Sequence, residues 1–185
     1  MQINFINPVL SACTEVLVSM ADLELKVGKP YKRKSDTPVK GKRITGLISM
    51  QGKVRRASVA IVFSEEVLAH IAEKMLPKGS VEMDSVAIDL VGEISNMILG
   101  RAKGELEKVG YDFEIALPTM MIGYNYLIPH QTSSPILRIP YDSSGGAFYV
   151  EVCFDGPPIS VEEAKAAELR KAELATEDKT DVELF

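Results

Sequence analysis

The chain has 185 residues, 46% of them hydrophobic and 25% charged, with a formal net charge of −5, which suits one domain with a proper core. No apolar run reaches the ~18–20 residues of a membrane span, and the opening MQINFINPVL has neither the basic start nor the cleavage site of a secretory signal. From Ser160 onward lie eight of the 26 acids but only four of the 21 Lys and Arg, so the body is nearly neutral, unlike a nucleic-acid-binding protein.

Cys13 and Cys153 stand far apart and neither belongs to a CxxC pair. Two such cysteines make no disulfide framework, and a reducing cytoplasm is the expected compartment.

In chain order, Asn7 is a good N-cap with Pro8 at the first helical position, and Val9, Ala12, Cys13, Val16, Leu17 and Met20 recur at helical spacing. Phe5 and Ile6 would pack back as a staple. The segment Lys26–Arg43 is lysine-rich and broken by glycine and proline. It reads as a short strand at Pro30–Arg33 followed by a solvated loop, with Tyr31 its only aromatic residue. Arg43–Met50 and Lys53–Phe63 form a hairpin across Gln51-Gly52. Ser64, with Glu65 and Glu66 behind it, opens a second helix that closes at Pro77-Lys78-Gly79.

Val86–Glu107 is the longest predicted helix. At about 100° per residue, Ala87, Leu90, Val91, Ile94, Ile98 and Ala102 form one apolar arc. Asp89, Gly92, Glu93, Asn96, Gly100 and Lys103 form the other. Gly110 then ends the helix. Tyr111–Leu117 alternates like a strand, Pro118-Thr119 breaks it, and Met120–Ile122 resumes it. Pro129–Ser134 is irregular. Ile136–Tyr141 and Ala147–Phe154 make a second hairpin around Asp142–Gly146. The domain is expected to span residues 1–158, an α+β fold with a largely antiparallel sheet packed against helices. Residues 159–185 read as an acidic appendage whose capping box, Ser160-x-x-Glu163, starts a partly frayed helix reaching about Leu174.

Motifs for phosphate loops, dinucleotides, serine hydrolases and zinc peptidases are absent. His70 reads as an ordinary surface residue, and His130 as a loop residue without metal partners. What remains is Glu93-x-x-Asn96, one turn apart on the outward face. E-x-x-N is common on solvated helices, but glycine stands one turn before and one turn after Asn96. Each costs ~0.5–1 kcal/mol relative to alanine. Gly92 and Gly100 are explained if another surface must come down onto Asn96. An amide can donate to and accept from one water, as orienting a hydrolytic water requires, while a nearby carboxylate can hold a cation or act as a base.

INFINPVLSA, VGEISNMILGRAKGEL and GYDFEIALPTMMIG, in this order and spacing, resemble the CheC/CheX/FliY family of bacterial chemotaxis phosphatases. CheC-like members carry two E-x-x-N helices. Here Glu15 is followed by Val18 where an asparagine would stand, which resembles the single-site CheX branch. The resemblance implies a homodimeric cytoplasmic phosphatase acting on a phosphorylated CheY-like response regulator. Asn96 would orient water and Glu93 would pair with the regulator's lysine, with Gly92 and Gly100 giving clearance for docking. It implies no cofactor bound by this chain, Mg²⁺ being held by the regulator, and neither a nucleic-acid nor a membrane partner. The alternatives are a non-catalytic module that binds a receiver domain and a structural subunit of flagellar-switch type. The acidic appendage and the long basic stretch Lys32–Arg43 depart from the family pattern.

Overall fold

A computed structural model describes residues 3–34, 36–75, 83–131 and 134–170, the side chains of 83 and 84 excepted. In chain order the elements are α1 (Ile3–Ala21), β1 (Leu25–Val27), β2 (Tyr31–Arg33), β3 (Lys42–Gln51), β4 (Arg56–Phe63), α2 (Glu65–Met75), α3 (Met83–Lys108), β5 (Glu114–Ile115), β6 (Thr119–Tyr124), β7 (Ile136–Ser143) and β8 (Gly146–Asp155). Residues 161–170 form a further, tail helix. The expected helical ends at Pro77–Gly79 and beyond residue 170 lie outside the described residues.

The strands build one antiparallel sheet in the order β1-β7-β8-β4-β3-β5, with β2 also on β7 and β6 also on β3. Alternation along the strands gives the sheet two different faces. Ile44, Ile48 and Met50 of β3, with Val59, Ile61 and Phe63 of β4, pack under the three helices. Leu47, Ala60 and Val62 point the other way, into a smaller cluster closed by Val39 and Ile128 from loops. The fold is the expected α+β arrangement.

Three expectations are corrected. The first helix begins at Ile3, not Asn7, and carries Pro8 inside it. Proline there removes one helical hydrogen bond, but Phe5 and Ile6 are buried as helical residues, Phe5 against Tyr111, Phe113 and Phe154. Aromatic burial outweighs the local signal. The α1 helix is also long and apolar enough to cross a membrane by composition alone; its residues Phe5, Val9, Cys13 and Leu17 are fully buried in the core.

Tyr111–Leu117 is mostly not a strand. Tyr111 and Phe113 are buried by stacking on one another and on Phe5, while only Glu114 and Ile115 reach the edge of β3.

The basic stretch is not merely a solvated loop. β2 is an edge strand on β7, Val39 is buried with its N–H on the Tyr126 carbonyl, and Arg33 is buried. Arg33 Nη2 donates to Glu151 Oε2 at 2.8 Å, and Arg138 Nε donates to Glu151 Oε1 at 2.8 Å. His130 belongs to the same cluster, with Nε2 3.0 Å from Glu151 and Nδ1 2.7 Å from Ser58 Oγ. A neutral imidazole satisfies both contacts when Ser58 donates to Nδ1 and Nε2–H donates to the carboxylate. Burial pushes the Glu151 carboxyl up, but the hydrogen bonds from His130, Arg33 and Arg138 prevail and hold it down at about 2.

Candidate functional site

The α3 helix is made by its apolar arc: Ala87, Leu90, Val91, Ile94, Ile98, Ala102 and Leu106 are all buried in the helix-side core. It ends as its sequence demands. Gly110 is left-handed at φ 93°, its N–H donates to the Glu107 carbonyl, and the Tyr111 N–H donates to the Leu106 carbonyl at 2.9 Å. This paired closure leaves few orphan carbonyls and favours glycine at the turn.

Glu93, Asn96 and Gly100 stand exposed on the outward arc, and neither the Glu93 nor the Asn96 side chain has a hydrogen-bond or ion-pair partner among the described residues. The two glycines differ. A Cβ at Gly100 would meet nothing within 4 Å, whereas one at Gly92 would touch Met120 Sδ at 3.9 Å. Gly100 is therefore open to a partner. Gly92 is half-buried beside β6, and its side of Asn96 is already occupied by the sheet.

Two residues that sequence reasoning missed fix the height of this turn. Ser95 is fully buried and its Oγ has no partner. It faces Gly46 in the middle of β3, where an added Cβ would lie 2.1 Å from Ser95 Oγ and 3.1 Å from Ser95 Cβ. A glycine inside a strand marks a close approach of other structure. That was the available signal, and the approaching group is the turn of α3 that carries Glu93 and Asn96.

The neighbouring α1 helix cannot duplicate the site. Its Glu15 is engaged by Arg101 Nε at 2.5 Å and by Ser11 Oγ at 3.2 Å, and Val18 offers no amide. Among the described residues no three His, Cys, Asp or Glu side chains gather to hold a metal. The exposed pair can thus orient a water and hold a cation, but it has no nucleophile and no metal of its own.

The family model described as chemotaxis phosphatase CheX matches residues 44–142, which include all of α3. The CheY-P phosphatase CheX of Thermotoga maritima is 24% identical over 140 residues, 76% of this chain and 88% of that protein. The crystal structure of a CheC-like superfamily protein from Shewanella sp. PV-4 is 40% identical, with a TM-score of 0.76 over 84% of this chain and 100% of that one. A CheX–CheY–BeF3–Mg²⁺ complex from Borrelia burgdorferi shares the fold, with a TM-score of 0.66 and 24% identity over 83% of this chain and 99% of that one.

Proposed function

This chain belongs to the chemotaxis phosphatase CheX family, and on that premise we propose that it removes the phosphoryl group from the aspartyl phosphate of a CheY-like response regulator. The observation that carries the reading is the exposed, uncommitted Glu93/Asn96 pair beside the bare Gly100. Asn96 enters the regulator's active-site cleft and holds a water in line with the phosphorus. The water oxygen attacks phosphorus, the bond to the aspartyl oxygen breaks, and carboxylate and inorganic phosphate leave. An acyl phosphate needs no stronger nucleophile, so positioning supplies the acceleration. Glu93 pairs with the regulator's lysine and fixes the docked orientation. Mg²⁺ held by the regulator neutralises phosphoryl charge.

The protein works in the cytoplasm on this reading, in keeping with two buried free thiols, Cys13 and Cys153. It forms a homodimer through a sheet edge. The β6 strand is one available edge, with Leu117 and Tyr124 strongly exposed beside it. Light scattering that finds only monomer at micromolar concentration removes the dimer.

The test of the function is phosphate loss from each phosphorylated receiver of the source organism, with and without this protein. One receiver should lose phosphate far faster with the wild type and at its intrinsic rate with Asn96→Ala. Wild-type speed from a folded Asn96→Ala variant would sink the mechanism. A non-catalytic docking module would bind the receiver and leave its phosphate lifetime unchanged or longer.

A further inference from the structure

The C-terminal turns of α3, the β3–β4 turn and the tail helix enclose a cleft of about 780 Å³. The α3 helix lends it Gly104, Glu107 and Lys108, and the tail helix lends Ala166, Ala167 and Arg170. At about 1.5 Å and 100° per residue, Gly104 and Glu107 lie roughly 12 and 16 Å along the axis from Asn96 and within about 80° of it. The cleft therefore continues the face that presents Asn96. An ordinary interface covers ~800 Å² on each partner, a patch of roughly 16 Å radius. A receiver domain seated on Asn96 reaches the cleft.

The far wall is fastened. Ser160 Oγ accepts from the Glu163 N–H at 3.1 Å, and Glu163 Oε2 accepts from the Ser160 N–H at 2.7 Å. Arg55 grips both Glu163 oxygens at 2.8 Å and the carbonyls of Pro157 and Pro158 at 2.9 Å. The start of the tail helix also abuts the end of α3, since a Cβ on Gly110 would stand 3.2 Å from Ile159 and 3.3 Å from the Glu163 carbonyl. On the α3 side the cleft is open: a Cβ at Gly104 would meet nothing within 4 Å. The similar Shewanella structure, matched over its full length, accounts for only 84% of this chain.

We infer that the tail helix is a wall of the regulator-docking surface, and that a segment of the receiver domain enters the cleft between it and α3 while Asn96 meets the phosphoryl group. This rests on the proposed role of Asn96. The tail then governs which receivers bind well and leaves the chemistry alone.

Ala166→Trp fills the cleft from an exposed position, and Arg170→Glu reverses a charge on its wall. Neither touches Glu93, Asn96 or the Arg55 clamp. In the full-length chain, phosphate loss is measured across a range of phosphorylated-regulator concentrations. Ala166→Trp should raise KM on the order of tenfold, keep kcat near the wild-type value, and weaken binding of the beryllofluoride-loaded regulator in parallel. An unmoved KM in both variants overturns the inference, and so does a loss confined to kcat. Wild type and Asn96→Ala run beside them separate the two ideas. If the wild type gives no acceleration, or Asn96→Ala keeps it, the proposed function falls and takes this inference with it. If both behave as proposed while KM stays put, only the role of the tail falls.

Discussion

Ser95 Oγ occupies the space that a side chain on Gly46 would need, 2.1 Å from where its Cβ would stand. The contact joins the middle of β3 to the turn of α3 that bears Glu93 and Asn96. Gly46 thus acts as a positioning residue for a site it never touches. Gly46→Ala should push that turn off the sheet by a fraction of a helix radius, and misplacement of ~1 Å can cost ~10²-fold in rate. The loss should appear in kcat more than in KM, and Ser95→Gly in the same chain should restore much of it by emptying the contested space. Single-turnover dephosphorylation by both variants checks this. A folded Gly46→Ala protein at full speed, or a double variant as slow as the single one, refutes it.

Glu93 has a different kind of contribution. Its carboxylate is exposed and unpaired within the chain, so its proposed pairing with a regulator lysine is a charge contact at an interface. Glu93→Ala should weaken docking, and wild-type affinity should fall with ionic strength more steeply than that of the variant. Combined with Asn96→Ala, it should add little to the rate loss, because residues acting on one event are not additive. Full additivity of the two losses would mean that they serve separate steps.

Gly100→Leu should move stability and activity in opposite directions. Nothing lies within 4 Å of the added Cβ, and leucine is better than glycine in a helix by up to ~1 kcal/mol. The melting temperature should therefore rise slightly while the regulator is shut out. Gly92→Ala meets only an ordinary contact with Met120, and should leave the fold intact. A Gly100→Leu protein that is both stabilised and fully active would show that the partner does not approach over Gly100.

Much of this was legible before any coordinates, and the reasons are local. The α3 stripe repeats over enough turns to declare a buried face, and Gly110 announces the end. Glu93 and Asn96 stood out because glycine in a helix needs a reason. What escaped was what depends on distant chain segments meeting. Gly46 and Ser95 are meaningful only together. Arg33, Ser58, His130, Arg138 and Glu151 come from five segments, and alone each looks like a surface polar residue. Pro8 misled for a related reason: it is a strong local signal, overridden by burial of Phe5 that only the tertiary structure reveals.

That polar cluster yields a prediction with a definite sign. Glu151 is fully buried on the sheet face away from the helices and is held by Arg33, Arg138 and His130. Its folded pKa is depressed to about 2 from an ordinary 4.5. A depressed carboxylate contributes stability that is fully present above the unfolded value and is lost as pH falls through the folded one. The contribution should hold from neutral pH down to about 5 and disappear between roughly 4.5 and 2. Glu151→Gln leaves two guanidinium groups without their counter-charge and should cost ~3–5 kcal/mol at pH 7. The difference between wild type and Glu151→Gln in denaturant unfolding, measured at pH 7 and at pH 3, isolates this group from the other carboxylates. The difference should shrink at pH 3, because the wild type loses what the variant never had. If the two proteins lose stability in parallel on acidification, the cluster is not what holds the covering loops to the sheet. Activity at pH 7 should survive in whatever fraction of Glu151→Gln stays folded, since the cluster lies across the sheet from Asn96.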